Sequence, residues 1–301
     1  MGNNMMVACL GIIFSCVVHI GRSLQRMGIH SFDSFRNHIS GQNQQQKSSG
    51  KHTIYILGLL LTSLSVIFVI LAGKFGTISF FTAMYGVGML PMLLFTKYIM
   101  KEKTTVQNWI GIFVIILGCL FIGIAAVNSK AVNMGIVNTK YFIYTILIIA
   151  VITPVIINIG KKSGHIFMDA MASGLVAGII SSLDPLLKAI GQNFSNAGGF
   201  LPSNLPGWLF FMLSFLATTV SLLVTQYAYS RRVNASQFIP HFNVTFISMP
   251  IIIQIIILPN YLPGIFEIIG VITIIIGIIV FSEKDLRLAR NQILETAQCS
   301  N

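Results

Sequence analysis

Residues 181–188 read SSLDPLLK and place a carboxylate (Asp184), a proline (Pro185) and an ammonium (Lys188) within five residues of an apolar run. At a spacing of i and i+4, Asp184 and Lys188 meet on one helix face. Pro185 has no N–H, so the Ser181 carbonyl loses its helical donor. A freed carbonyl, a carboxylate and the hydroxyls of Ser181 and Ser182 then form a set of oxygen ligands at a kink. Broken helices of this kind line cavities in membrane transporters. The same residues also suit a structural ion pair, with Lys188 near its span end and snorkelling outward to water. A charge at the bilayer centre costs roughly 2.5–3.5 kcal/mol, so Asp184 needs an explanation on either reading.

If a metal binds, Asp184 is its candidate ligand. Magnesium keeps most of its water and sits on one or two carboxylates. Asp184 is the only carboxylate deep in a run, however, since Asp169 and Glu267 fall near ends. A lone acid beside a lysine suits a proton- or anion-linked carrier as well.

Three further sets of polar side chains recur at helical spacing. Gln237, His241, Thr245 and Ser248 fall at steps of 4, 8 and 11, with Asn243 off that stripe. Ser214, Thr218, Ser221 and Thr225 fall at 4, 7 and 11, and Ser15, His19, Arg22 and Arg26 do the same in the first apolar run. Interhelical hydrogen bonds or back-bonding to the helix explain serines and threonines at such positions. An imidazole in lipid needs a partner or water, and three stripes together point to a shared aqueous cavity. His241 is expected across that cavity from Asp184.

The elements that hold these stripes are apolar helices. Of the 301 residues 54% are hydrophobic and 9% charged, far below the quarter or so of a soluble domain. Nine runs reach the length of about 20 residues that a bilayer core requires: 5–24, 53–73, 77–99, 106–127, 140–160, 166–190, 207–229, 235–258 and 264–282. The fold class is therefore an all-α integral membrane protein, one polytopic domain over 1–301. The polar loop 29–52 reads as a flexible linker, and the tail 283–301 as a short basic surface helix.

The net charge of +11 does not indicate nucleic acid, because the basic residues flank apolar runs. With the N-terminus outside, fifteen Lys and Arg face the cytoplasm, three face outward and Lys188 lies in a span. This predicts a cell-membrane protein with the N-terminus outside and the C-terminus cytoplasmic. The start, MGNNMM, lacks the Ser or Thr of a myristoylation site, and the basic residues follow the first run, as in a retained span. Cys9, Cys16, Cys119 and Cys299 show no CxxC spacing, so small packing residues are expected rather than a zinc site.

Sliding the chain on itself by 159 residues brings Pro91 onto Pro250, Gly111 onto Gly270 and Gly118 onto Gly277. At a shift of 167, Gly11–Ser15 (GIIFS) meets Gly178–Ser182 (GIISS). This predicts two four-helix units, 1–127 and 166–282, joined by a connecting helix over 140–160. An odd number of spans per offset makes the second unit inverted, as in many secondary transporters, whose sites lie between the halves. The glycine pairs are expected to pack helices closely.

The stretch YIMKEKTTVQNWIGIFVIILGCLFIG resembles the closing helices of the repeats in the drug/metabolite transporter superfamily, including EamA-type permeases. GRSLQRMGIH is similar to the Gly–x–x–Leu–Gln–basic–x–Gly pattern of NIPA-type magnesium transporters, carried here by Gly21, Leu24, Gln25, Arg26 and Gly28. Pro91 is closer to the EamA pattern, and Asp184-Pro185 fits neither. The resemblance implies alternating access by a small solute, with magnesium or another divalent cation as the specific expectation. An EamA-like metabolite or drug permease, proton-coupled or exchanging, is the alternative. No cofactor is implied, the partners are membrane lipid and the solute, and a homodimer is left open. Paired acids, His–Glu–x–x–His and Gly–x–Ser–x–Gly are all missing from the sequence, so an intramembrane enzyme is not expected.

Overall fold

Apolar runs of this length satisfy their backbone groups within helices, and every long element among the described residues is helical. The structure is a computed structural model that describes residues 2–29, 49–75, 78–102, 104–128, 136–194, 200–259 and 261–299. Eleven α-helices follow one another: α1 (Gly2–Gly28), α2 (Ser49–Leu64), α3 (Val66–Phe75), α4 (Ile78–Met84), α5 (Met89–Tyr98), α6 (Val106–Asn128), α7 (Thr139–Lys162), α8 (Ile166–Asn193), α9 (Leu205–Ser230), α10 (Ala235–Ile257) and α11 (Ile265–Cys299). Combined into spans, they give nine helices among the described residues that are long and apolar enough to cross a membrane. The chain thus has multi-pass transmembrane character.

Two spans of the first unit are interrupted where the sequence reads as continuous. Ser65 breaks the second span between α2 and α3, its hydroxyl donating back to the Thr62 carbonyl at 2.6 Å. The third span is split by a 3₁₀ turn, Tyr85–Gly88, between α4 and α5. Such a turn leaves backbone groups in need of partners. The Ser15 hydroxyl of α1 supplies them, donating to the Tyr85 carbonyl and accepting from Gly88 N–H at 3.1 Å. Glycine at 88 is required for this approach, because a Cβ there would overlap the Ser15 oxygen.

The second unit keeps its helices whole and carries its prolines inside them. Pro185 lies within α8, and Pro240 and Pro250 lie within α10. Pro91, by contrast, sits in the first turn of α5, where no N–H donor is needed. The residues paired by the 159 shift therefore occupy different local settings.

The eighth span is the most enclosed, 72% buried, whereas the second and fifth are 17% buried and present apolar faces outward. Phe14, Phe81, Tyr85, Phe242 and Phe246 form the aromatic centre where α1, α4 and α10 meet. The connecting helix α7 packs on α8 at the periphery.

Glycines also seat α6 directly on α11. A Cβ on Gly111 would lie 2.7 Å from the Gly277 carbonyl oxygen, and one on Gly118 would lie 2.7 Å from that of Gly270. These four positions therefore let two backbones touch directly. Within each unit the first helix meets the third in a similar way. Gly11 abuts Phe81 and Met84, and Gly178 abuts Phe242 and Thr245.

Two expectations need correction. The tail does not begin as a separate surface helix, because α11 runs unbroken from Ile265 to Cys299. Loop 29–52 is partly helical, since α2 begins at Ser49. Residues 30–48 of that loop lie outside the described residues.

Candidate functional site

A cavity of about 310 Å³ is walled by α1, α2, α3 and Tyr85 on one side and by α8, α9 and α10 on the other. Ser181, Asp184, Thr218, Ser221 and Thr225 line it. These residues from two separate stretches of sequence are thus brought to one space.

Asp184 contacts Lys188 in an ion pair, and both are buried. Lys188 does not snorkel: its side chain is fully buried, with the ammonium 4.6 Å from the centre of the Phe215 ring. The expectation of outward reach fails because Phe215 of α9 covers that face of α8. Asp184 thus reaches the cavity with its charge already opposed. Ser182 does not line the cavity, and its hydroxyl donates to the Ile179 carbonyl at 2.6 Å.

Most hydroxyl protons on α9 are directed into backbone. Thr218 donates to the Ser214 carbonyl at 3.1 Å, Thr225 to that of Ser221 at 2.8 Å, and Ser221 across to Ala177 of α8 at 2.8 Å. Their oxygens keep lone pairs that can accept from a guest.

His241 is not among the lining residues, which corrects its expected position facing Asp184. Its Nδ1 donates to the Gln237 carbonyl at 2.7 Å and its Nε2 accepts from Ser282 of α11 at 2.9 Å. Phe167 and Phe281 enclose the ring edge-on. The stripe Gln237, His241, Thr245 and Ser248 therefore faces helix contacts, with Thr245 donating to the Leu175 carbonyl at 3.0 Å.

Asn243, off that stripe, joins the first unit instead. Its side-chain amide donates to His19 Nε2 at 2.7 Å, while His19 Nδ1 donates to the Ser15 carbonyl at 2.6 Å. The two bonds assign the His19 proton to Nδ1. Ser15, His19 and Asn243 form one buried chain that links α1, the 3₁₀ turn and α10, adjacent to the cavity through Tyr85.

The sequence stripe in α1 holds a residue that charge counting assigned to a flank. Arg22 lines the cavity, half-buried, its guanidinium 3.6 Å from the centre of the Phe242 ring and donating to the Tyr85 hydroxyl at 3.2 Å. It forms no ion pair among the described residues. Gln25 also lines the cavity, donating to Thr62 at 2.8 Å and accepting from Gln226 of α9 at 2.5 Å. Gln25 falls one turn after Arg22 on α1, beside the stripe and not on it, and that spacing is its signal in the sequence.

Polar contacts tie the units together at both ends of this space. At one end Arg26 donates to the Val233 carbonyl at 2.5 Å and to that of Arg232 at 3.2 Å. There Glu102 accepts from the N–H groups of Ala235 and Ser236, at 3.3 and 2.9 Å, capping α10 against its positive dipole end. At the other end Gln192 donates to the carbonyls of Ile70 at 3.0 Å and Phe200 at 2.9 Å. Asp169 pairs with Arg231 at 2.6 Å, and Glu267 accepts from Tyr261 at 3.0 Å, so neither acid joins Asp184. No group of three or more His, Cys, Asp or Glu that could hold a metal occurs among the described residues.

Compared with known proteins, the chain matches no family model, no curated protein and no solved structure.

Proposed function

We propose that this chain is a transporter of the drug/metabolite type, which passes a small solute through the cavity by alternate exposure to the two sides of the membrane. The observation that carries the reading is the cavity itself, in which Arg22, Asp184 and several hydroxyls are set among apolar side chains, walled by helices of both units. A scaffold or receptor has no need of an inverted repeat or of polar stripes.

The glycine contacts support an inverted repeat. Gly111 meets Gly277 and Gly118 meets Gly270, while the 159 shift equates Gly111 with Gly270 and Gly118 with Gly277. A contact in which each position touches the other's equivalent is what a two-fold relation between antiparallel helices produces. The matched seats of Gly11 and Gly178 add a second instance. The distribution of Lys and Arg supports an outside N-terminus and a cytoplasmic C-terminus.

For the solute, an organic metabolite suits the wall better than magnesium. Asp184 is already opposed by Lys188, and the other charge on the wall is the cation Arg22. A divalent cation would gain little from that pair and would be repelled by the guanidinium. Uptake into proteoliposomes tests the proposal: a panel of labelled organic solutes and divalent metals should show entry of an organic solute alone. Entry of none of them, or of a metal only, removes it. Orientation is tested by labelling Cys299 with an impermeant thiol reagent, which should react only after the cytoplasmic face is opened. Reaction in intact cells would reverse the topology.

A further inference from the structure

Resting on the transporter reading, we infer that the cavity takes a small oxyanion, a carboxylate or phosphate ester, that also bears hydroxyl groups, with Arg22 as the anion ligand. Three observations lead there. The wall's acid is neutralised by direct contact with the buried Lys188, so Arg22 leaves the lining with one positive charge in excess. The guanidinium is held in place from two sides, by the Phe242 ring face at 3.6 Å and by the Tyr85 hydroxyl at 3.2 Å. Of its several N–H donors only one has a protein acceptor among the described residues. A planar fork of unused donors matches a carboxylate or phosphate in two-point geometry.

A half-buried cation in a cavity wall without a counter-charge favours an anionic guest. A structural arginine would be expected to satisfy its donors with carbonyls. Arg26, one turn on, does this with Val233 and Arg232. Arg22 does not.

The second half of the guest follows from the hydroxyls of α9. Thr218, Ser221 and Thr225 spend their protons on the carbonyls of Ser214, Ala177 and Ser221. They offer lone pairs to the cavity and cannot themselves donate to an anion in that arrangement. A guest therefore places its negative end at Arg22 and its O–H groups at α9. Bare anions lack the second contact, and neutral polyols lack the first.

Binding is measured calorimetrically on the full chain in phosphatidylcholine nanodiscs, with glycerol 3-phosphate, glycerate, inorganic phosphate and glycerol as probes. Glycerol 3-phosphate and glycerate should bind, phosphate should bind more weakly, and glycerol should not bind. Arg22→Gln should weaken the two hydroxylated anions about 10- to 100-fold, the loss of a charge-assisted contact, and Arg22→Lys should restore part of it. Thr218→Val should weaken glycerate and leave inorganic phosphate unchanged. Unaltered thermal unfolding of Arg22→Gln and Arg22→Lys separates lost binding from lost fold.

Anion binding indifferent to Arg22→Gln, equal binding of glycerol, or no binding by any probe overturns the inference. If soluble anions fail to bind and phosphatidic acid added to the nanodiscs binds in an Arg22-dependent way, the site takes a lipid headgroup and the solute assignment falls. Binding that depends on Arg22 without uptake of labelled glycerate or glycerol 3-phosphate in proteoliposomes removes the transporter reading and keeps the site. Uptake of a neutral or cationic solute unchanged by Arg22→Gln removes the inference and keeps the transporter.

Discussion

The two walls of the cavity solve the problem of intramembrane charge in opposite ways. On the second unit, Asp184 and Lys188 sit one turn apart on α8 and cancel each other, with Phe215 over the ammonium. On the first unit, Arg22 is steadied by an aromatic face and a phenol but has no acid to meet. A self-neutralised pair is complete without a ligand, whereas an open guanidinium is complete only with one. On the proposed reading, stability belongs to one wall and recognition to the other.

The largest expected effect breaks the closed wall. Lys188→Met leaves the Asp184 carboxylate without its partner, which costs about 3–5 kcal/mol for a buried pair. Thermal unfolding should fall accordingly, and the double variant Asp184→Asn/Lys188→Met should recover most of the loss while retaining transport. A double variant that is stable but inactive would move Asp184 into the solute's path and erase the contrast.

Next in size are the two glycines that seat the walls. Gly178→Ala forces a Cβ into the Phe242 carbonyl and the Thr245 hydroxyl, whereas Gly11→Ala meets Met84 Cβ at 2.7 Å and the Phe81 carbonyl at 3.0 Å. Both overpack, by about 1–3 kcal/mol, with Gly178→Ala the costlier because its overlaps are deeper. Denaturation in detergent ranks them, and the reverse order would contradict the seating of α8.

The smallest effect sharpens the open wall. Tyr85→Phe removes the phenol that orients Arg22, a hydrogen bond worth about 0.5–1.5 kcal/mol. Apparent solute affinity should weaken by no more than about tenfold, with unfolding unchanged. An effect as large as that of Arg22→Gln would make Tyr85 a ligand in its own right.

Much of the frame is legible in the sequence. The apolar runs predict the nine spans to within a few residues, because length and hydropathy are properties of each run alone. The break at Tyr85–Gly88 was not legible, since it depends on Ser15, seventy residues earlier, reaching into the turn. Asp184 and Lys188 were readable as a pair from spacing, but the burial of Lys188 depends on Phe215 from another helix. Arg22 shows the limit most clearly. Charge counting treats it as a span-end cation, and only Tyr85 of the 3₁₀ turn and Phe242 of α10 turn it into a wall residue. The α9 stripe was visible as spacing, whereas the direction of its hydroxyl protons was not.

The unbroken length of α11 has a mechanical consequence. At about 1.5 Å per residue its 35 residues extend some 52 Å, against a hydrocarbon core of about 30 Å. Ile265–Lys284 accounts for the apolar part, so the rest of the helix projects as a stalk of roughly 20 Å from the same rod that packs glycine to backbone on α6. A tilt at that contact is carried to the stalk tip and enlarged there. A spectroscopic label at Cys299 would read, as a displacement of the helix end, a rearrangement that begins among buried backbones.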